Sequence, residues 1–181
     1  MTPTEELKHE HRVILMVLAA GRKKAEEAAR TKRVDKAYFE KTLDFIRSFA
    51  DRCHHAKEEK QLFVKMVERG FSLQSGPLAV MLQEHKQGRA WVRAAADALP
   101  TAATGDAQAV ESFTRNLLSY ITLLEAHIGK EDNILYPMAD RVLTAADQSD
   151  LAASFARVEK EETGEGVHEK YHHLAHELAG A

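Results

Sequence analysis

The sequence predicts an all-α protein, an up-down-up-down four-helix bundle with an additional C-terminal helical segment. Three observations support this. Apolar residues recur at helical period over long stretches. Helix breakers such as Gly70, Gly76-Pro77 and Gly105 fall between those stretches rather than inside them. No alternating strand pattern and no hairpin dipeptide is present.

Thr4, followed by Glu5, Glu6 and Leu7, reads as a helix start, and Leu7, Ile14, Leu15, Leu18 and Ala19 form a stripe, giving a first helix over roughly residues 4–30. The second runs from Asp35 to Arg69, with Phe39, Leu43, Phe45, Ile46, Phe49, Leu62, Phe63 and Met66 inward and Gly70 as its stop. Gly76-Pro77 opens a third, which carries Leu78, Met81, Leu82, His85 and Trp91 toward Leu99-Pro100. Thr101 to Asp106 reads as a loop. The fourth helix holds Val110, Phe113, Leu117, Leu118, Ile121, Leu124 and His127 and ends near Tyr136-Pro137. A linking segment and a fifth helix follow, or two helical pieces broken by Gly164-Glu165-Gly166. The expected organisation is a bundle over residues 1–140 and a helical extension over 141–181 that packs on it.

Composition narrows the function classes. A chain of 181 residues suffices for one well-buried core. With 44% apolar residues but no apolar run near the length of a span, a transmembrane helix is not expected. The first residues lack the basic and then apolar regions of a signal peptide, so the expected location is cytoplasmic. Cys53 is the single cysteine, which excludes an internal disulfide and a thiolate zinc cluster. A formal charge of -3 gives no reason to expect nucleic acid or an anionic membrane as partner. Ten histidines are the outlier.

Those histidines fall in a duplicated pattern. His54 precedes Glu58 by four residues, and His127 precedes Glu131 by four, within the matching phrases Lys57-Glu58-Glu59-Lys60-Gln61-Leu62-Phe63 and Lys130-Glu131-Asp132-Asn133-Ile134-Leu135-Tyr136. Glu10-His11 lies upstream of the first copy and Glu84-His85 upstream of the second, at offsets of 85 − 11 = 74, 127 − 54 = 73 and 131 − 58 = 73 residues. On a helix, residues four apart share a face one turn apart, so each His–Glu pair can reach one ion. His11 and His85 come early in their helices and His54 and His127 late in theirs. In antiparallel neighbours all six side chains therefore meet at one level of the core.

A lone histidine on an apolar face is more often a packed core residue than a ligand. Two glutamates in register with four inward histidines are harder to explain so, because a buried unpaired carboxylate is costly and a metal removes that cost. Nitrogen and oxygen donors without sulfur suit iron, manganese or zinc, and six donors exceed the four of a structural zinc. Two symmetrically placed glutamates can each bridge a pair of ions, so the expected cofactor is two iron ions in a non-haem, carboxylate-bridged centre.

The order His, His-x-x-x-Glu, His, His-x-x-x-Glu on four helices, and the phrase from His127 to Pro137, resemble the hemerythrin-like (HHE cation-binding) family over roughly residues 4–140. The resemblance implies His11, His54, His85 and His127 as terminal iron ligands and Glu58 and Glu131 as bridging carboxylates. It implies dioxygen, nitric oxide or peroxide as the small ligand, in stress defence or iron handling. Two departures weigh against reversible oxygen carriage. The oxygen-carrying members have His-x-x-x-His on the third helix, where this chain has His85 and Arg89, and they end on His-x-x-x-x-Asp, where it has Glu131 with Asp132 beside it. In the tail, glycines precede His168, which is expected to reach the centre as a fifth histidine.

Rival readings fare worse. His168-Glu169-Lys170-Tyr171-His172 matches the H-E-x-x-H zinc-protease signature, but it leaves the upstream set unexplained and has little chain beyond it for a third ligand. Ferritin-like di-iron bundles use Glu-x-x-His, an order absent from the inward set. Cys53 adjoins His54, but neighbours on a regular helix point apart, so no nucleophilic pair is expected. The alternative of a different class is an iron- or oxygen-sensing interaction module, in which metal occupancy sets the stability of the bundle. An enzyme at this centre would be an oxidoreductase acting on peroxide or nitric oxide over many cycles, and a sensor would show no turnover.

Overall fold

The computed structural model describes residues 1–158 and 166–180, apart from the side chains of Val158, Val167 and His168. No strand occurs among the described residues. Four long helical rods enclose the core, and two further helices pack against them.

The first rod, α1 (Pro3–Thr31), is capped by Thr2 rather than Thr4. The Thr2 hydroxyl accepts the Glu5 N–H while the Glu5 carboxylate accepts the Thr2 N–H, closing a capping box. Thr4 is instead buried and donates to Asp140 Oδ1 at 2.8 Å. Val13 and Val17 join Leu7, Ile14 and Leu18 on the buried face, whereas Leu15 is half-buried and Ala19 exposed.

The second rod comprises α2 (Lys36–Phe45), π-helical turns over Ile46–His55 and Glu58–Leu62, and α3 (Phe63–Glu68). Asp35 caps it through the Tyr38 N–H, and Gly70 at φ +97° ends it. All eight residues assigned inward from the sequence are buried. The third, α4 (Gly76–Ala102), runs through Pro100 into the segment read as a loop, and the chain reverses at Gly105 with φ +87°. Val92 takes the buried position, while Leu82 and Trp91 are half-buried.

The fourth rod joins α5 (Ala107–Lys130), a π-helical turn over Glu131–Leu135 and α6 (Tyr136–Val142). Pro137 therefore does not end it. It falls in the first turn of α6, directly after the π turn, where the altered hydrogen-bond register dispenses with its missing N–H. Thr144 and Asp147 then exchange hydrogen bonds at the start of α7 (Ala145–Val158), and Arg69 donates to both Asp147 oxygens, tying α7 to the end of the second rod. Gly166, at φ +78°, opens α8 (Val167–Ala179).

Neighbouring rods touch in opposite chain order. Glu6 and Glu10 of α1 meet Lys57 and His54, Asp51 and Glu59 meet Arg89 and His85, and Gly88 faces Tyr120 while Glu84 meets Lys130. Around the axis the core divides in two. One apolar cluster spans Val13–Ala28, Phe39–Ala50, Val92–Ala102 and Val110–Ile128 and takes Tyr171, Ala175 and Leu178 from α8. The other gathers Leu7, Leu62, Phe63, Met66, Leu78, Met81, Leu135 and Tyr136 with Leu151 and Phe155 of α7. In the first three rods the predicted histidine lies between the two, and in the fourth His127 sits at the edge of the first cluster beside Ile128. No helix among the described residues is long and apolar enough to cross a membrane.

Phe113 is fully buried and meets Phe39 edge-on at 4.8 Å in the first cluster. Phe113→Ala is expected to lower unfolding free energy by about 3–5 kcal/mol in a urea titration while leaving metal content unchanged. A loss below about 1 kcal/mol would contradict this packing.

Candidate metal centre

The structure brings together His11, His54, Glu58, His85, His127 and Glu131, each at most 2% exposed. His127 Nε2 lies 3.0 Å from Glu131 Oε1, His11 Nε2 3.3 Å from Glu131 Oε2, His85 Nε2 3.5 Å and His54 Nε2 3.8 Å from Glu58 Oε2. The side chain of His168, the remaining residue expected at the centre, lies outside the described residues.

A further histidine completes the set. His55 is buried, and its ring stacks on that of His85 with centroids 3.9 Å apart. It stands beside His85, where the third-rod position occupied by Arg89 offers no imidazole. On a regular helix consecutive side chains diverge, so the reading of His54 left no role for its neighbour. The i→i+5 bonding of the Ile46–His55 turn changes that, turning both imidazoles into the core. The His54-His55 doublet inside the motif was the available signal.

The donors form two groups, His11, His54, Glu58 and Glu131, and His55, Glu58, His85 and His127, with one ligand atom from each residue lying within 4.8 Å of the others in its group. Glu58 belongs to both, and Glu131 touches a histidine of each. The outer nitrogens are uniformly engaged. Nδ1 faces a carboxylate in all five histidines, Asp132 for His11, Glu10 for His54, Asp51 for His55, Glu59 for His85 and Glu84 for His127, at 2.7–3.3 Å. A carboxylate accepts, so Nδ1–H donates and Nε2 is turned inward, where it offers a lone pair in the neutral ring. The two halves repeat this outer shell. Glu10 and Glu84 hold the motif histidines and are themselves held by Lys57 and Lys130, while Glu59 and Asp132, each following a motif glutamate, hold the histidine from the opposite half.

This arrangement fits a metal. His54 Nε2, Glu58 Oε2 and both Glu131 oxygens are buried without a hydrogen bond. Four such atoms gathered around one point call for a cation. Tyr136, read from the sequence as a helix end, donates from its hydroxyl to Glu58 Oε1 at 2.6 Å, and its ring stacks on His11.

Electrostatics of the metal-free protein follow from the same contacts. Burial, with the Glu131 charge next, pushes Glu58 well above the usual carboxylate range. Burial works the same way on Glu131, but His127 and His11 outweigh it and hold that group low. His11 resists burial through Asp132 and Glu131 and is raised to about 9. Burial and the charge of His11 push His54 down to about 4, and burial lowers His55 well below its ordinary value.

Beside the second donor group a pocket of about 210 Å³ opens, lined by His55, His85 and His127 at its inner end. Arg89 also lines it and is paired with Asp51 and Glu59.

Two expectations follow. A free imidazole titrates near 6.5. At His11 the folded state binds more protons than the unfolded chain between about pH 6.5 and 9, so that stabilisation is complete below the window and lost as pH rises through it. At His54 the unfolded chain binds more protons between about pH 6.5 and 4, so stability falls as pH drops through that range. The alkaline loss of thermal midpoint between about pH 6.5 and 9 in the metal-free protein should thus be shallower in His11→Gln than in the wild type. A midpoint rising steadily from pH 6.5 to 9 would refute the assignment. Separately, Glu10→Gln, which weakens the hold on His54 Nδ1, should reduce metal affinity about 10- to 100-fold in a chelator competition.

Comparison with known proteins agrees with the geometry. The family model for the Hemerythrin HHE cation binding domain matches residues 2–139. Uncharacterized proteins of Mycobacterium tuberculosis (Rv1995) and Mycobacterium bovis (Mb2018) are each 25% identical over 165 residues, 91% of this chain. The chain spans 64% of the length of these curated relatives. No solved structure matches it. With the family signature falling on the buried His–Glu layer, the chain belongs to the hemerythrin HHE cation-binding family and is a metal-binding protein.

Proposed function

We propose that the chain holds two iron ions in a non-haem, carboxylate-bridged centre and binds a small ligand there, dioxygen, nitric oxide or peroxide. The observation that carries this reading is the pair of four-donor groups sharing Glu58. His11 and His54 would hold one ion, His55, His85 and His127 the other, and Glu58 and Glu131 would span the two. Hard carboxylate oxygens with borderline imidazoles suit iron, and no thiolate takes part. Iron held there supplies one-electron chemistry between ferrous and ferric states.

The chain's own residues prepare that chemistry. Tyr136 places a hydroxyl proton at Glu58 Oε1, inside the layer. The apolar clusters on either side exclude water. The pocket at His55, His85 and His127 gives a small molecule its approach, and Arg89, held by two carboxylates, forms part of its wall.

Metal analysis of protein purified from its own source should return two irons per chain, with a ferric absorption spectrum that changes on adding peroxide or nitric oxide. His54→Ala and Glu131→Ala should each abolish stoichiometric binding of two irons. Full iron retention in either variant, or zinc as the only metal in the wild type, would overturn the assignment.

A further inference from the structure

The pocket is larger than the proposed ligands require. At about 210 Å³ it exceeds the roughly 150 Å³ of a cavity that accommodates benzene. Its walls are of two kinds. Ile46, Val92, Leu123 and Leu124 provide an apolar lining, with Tyr120 beside them. Three arginines line it as well, and they are not equivalent. Arg89 is neutralised by Asp51 and Glu59, and the lining carboxylate Glu84 by Lys130 and His127. Arg47 and Arg93 are exposed and form no ion pair or hydrogen bond among the described residues. Both line the pocket, and by helix register both lie away from its histidine end. On α4, Arg93 lies eight residues from His85, about 12 Å of helix, and on the second rod Arg47 lies eight residues from His55.

We infer that this pocket binds a small amphipathic monocarboxylate, its carboxylate on Arg47 and Arg93 and its apolar chain extended between Ile46, Val92, Leu123 and Leu124 toward His55, His85 and His127. A free inorganic anion would leave the apolar wall unused, and a neutral apolar molecule would leave two guanidinium groups without a counter-charge. The binding claim uses only the pocket's residues. That the chain's far end abuts a metal ion rests on the di-iron reading above.

Calorimetric titration of the protein as purified with acetate, butanoate, hexanoate, octanoate and octan-1-ol tests this. Affinity should rise about three- to fourfold per added CH₂ as apolar surface is buried. Octan-1-ol should bind more weakly than octanoate. Arg47→Glu combined with Arg93→Glu should reduce octanoate affinity about tenfold while leaving iron content and thermal midpoint unchanged, since neither residue is a ligand or buried. Leu123→Trp, which fills the pocket, should remove octanoate binding. No dependence on chain length, equal binding of the alcohol, or octanoate affinity unmoved by the double substitution would each overturn the proposal. Metal content is read separately, so octanoate binding by a protein without iron contradicts the centre and not the pocket.

Discussion

Two carboxylates, Glu58 and Glu131, sit fully buried at mid-height of an apolar bundle, with three of their four oxygens making no hydrogen bond. Removing a carboxylate from water costs several kcal/mol even after relaxation, and two facing one another add repulsion. Everything polar in the layer answers to that constraint. Without metal, the conflict is resolved unevenly. Glu58 is driven toward its neutral form and accepts from Tyr136, while Glu131 keeps its charge against His11 and His127. Two divalent ions would let both carboxylates ionise and would displace the proton His11 otherwise retains. Metal binding is then coupled to proton release and favoured by rising pH.

The layer also explains the shape of the rods. A regular helix can aim residues four apart at one ion, but not adjacent ones. Both rods that carry His-x-x-x-Glu open into π-helical turns at the motif, over Ile46–His55 and Glu58–Leu62 in one and Glu131–Leu135 in the other. Each turn gives up regular hydrogen bonding to re-aim side chains, which places the departure from regular geometry at the functional layer. In the fourth rod it also admits Pro137 without breaking the helix. Fixed carboxylates around the layer then hold each imidazole by its outer nitrogen, so orientation does not depend on the ion alone.

Rod positions, the inward apolar residues of the second rod and the meeting of six His and Glu side chains in one layer were legible in the sequence because they rest on periodicity and on a repeat at constant offset. Departures from regular helix were not. His55 is invisible to any argument that assigns neighbours to opposite faces, and Pro137 looks like a terminus until the π turn before it is known. The carboxylate after each motif glutamate had no role assigned from the sequence. Glu59 and Asp132 each cross to the other half of the repeat and grip His85 or His11. Such cross-half pairs depend on how rods abut, which local sequence does not encode. Glu10 and Glu84, each adjacent to a predicted ligand, carried a readable signal in their matched positions.

Duplication predicts two equal metal positions, and the structure breaks that equality. Around His11 and His54, the Tyr136 ring lies parallel to the His11 ring, and the wholly buried Lys57 bridges Glu6 and Glu10. The corresponding Lys130 is only half-buried, and the pocket reaches His55, His85 and His127. In the first half an aromatic residue and a buried ion pair close the layer, and in the second a glycine, Gly88, leaves Tyr120 in place where a Cβ would press on it at 3.3 Å. A small molecule entering through the pocket would therefore reach His55, His85 and His127 before the first donor group. The first group, His11 and His54 with Glu58 and Glu131, is the shielded one, and Tyr136 donates to Glu58, the residue that the two groups share.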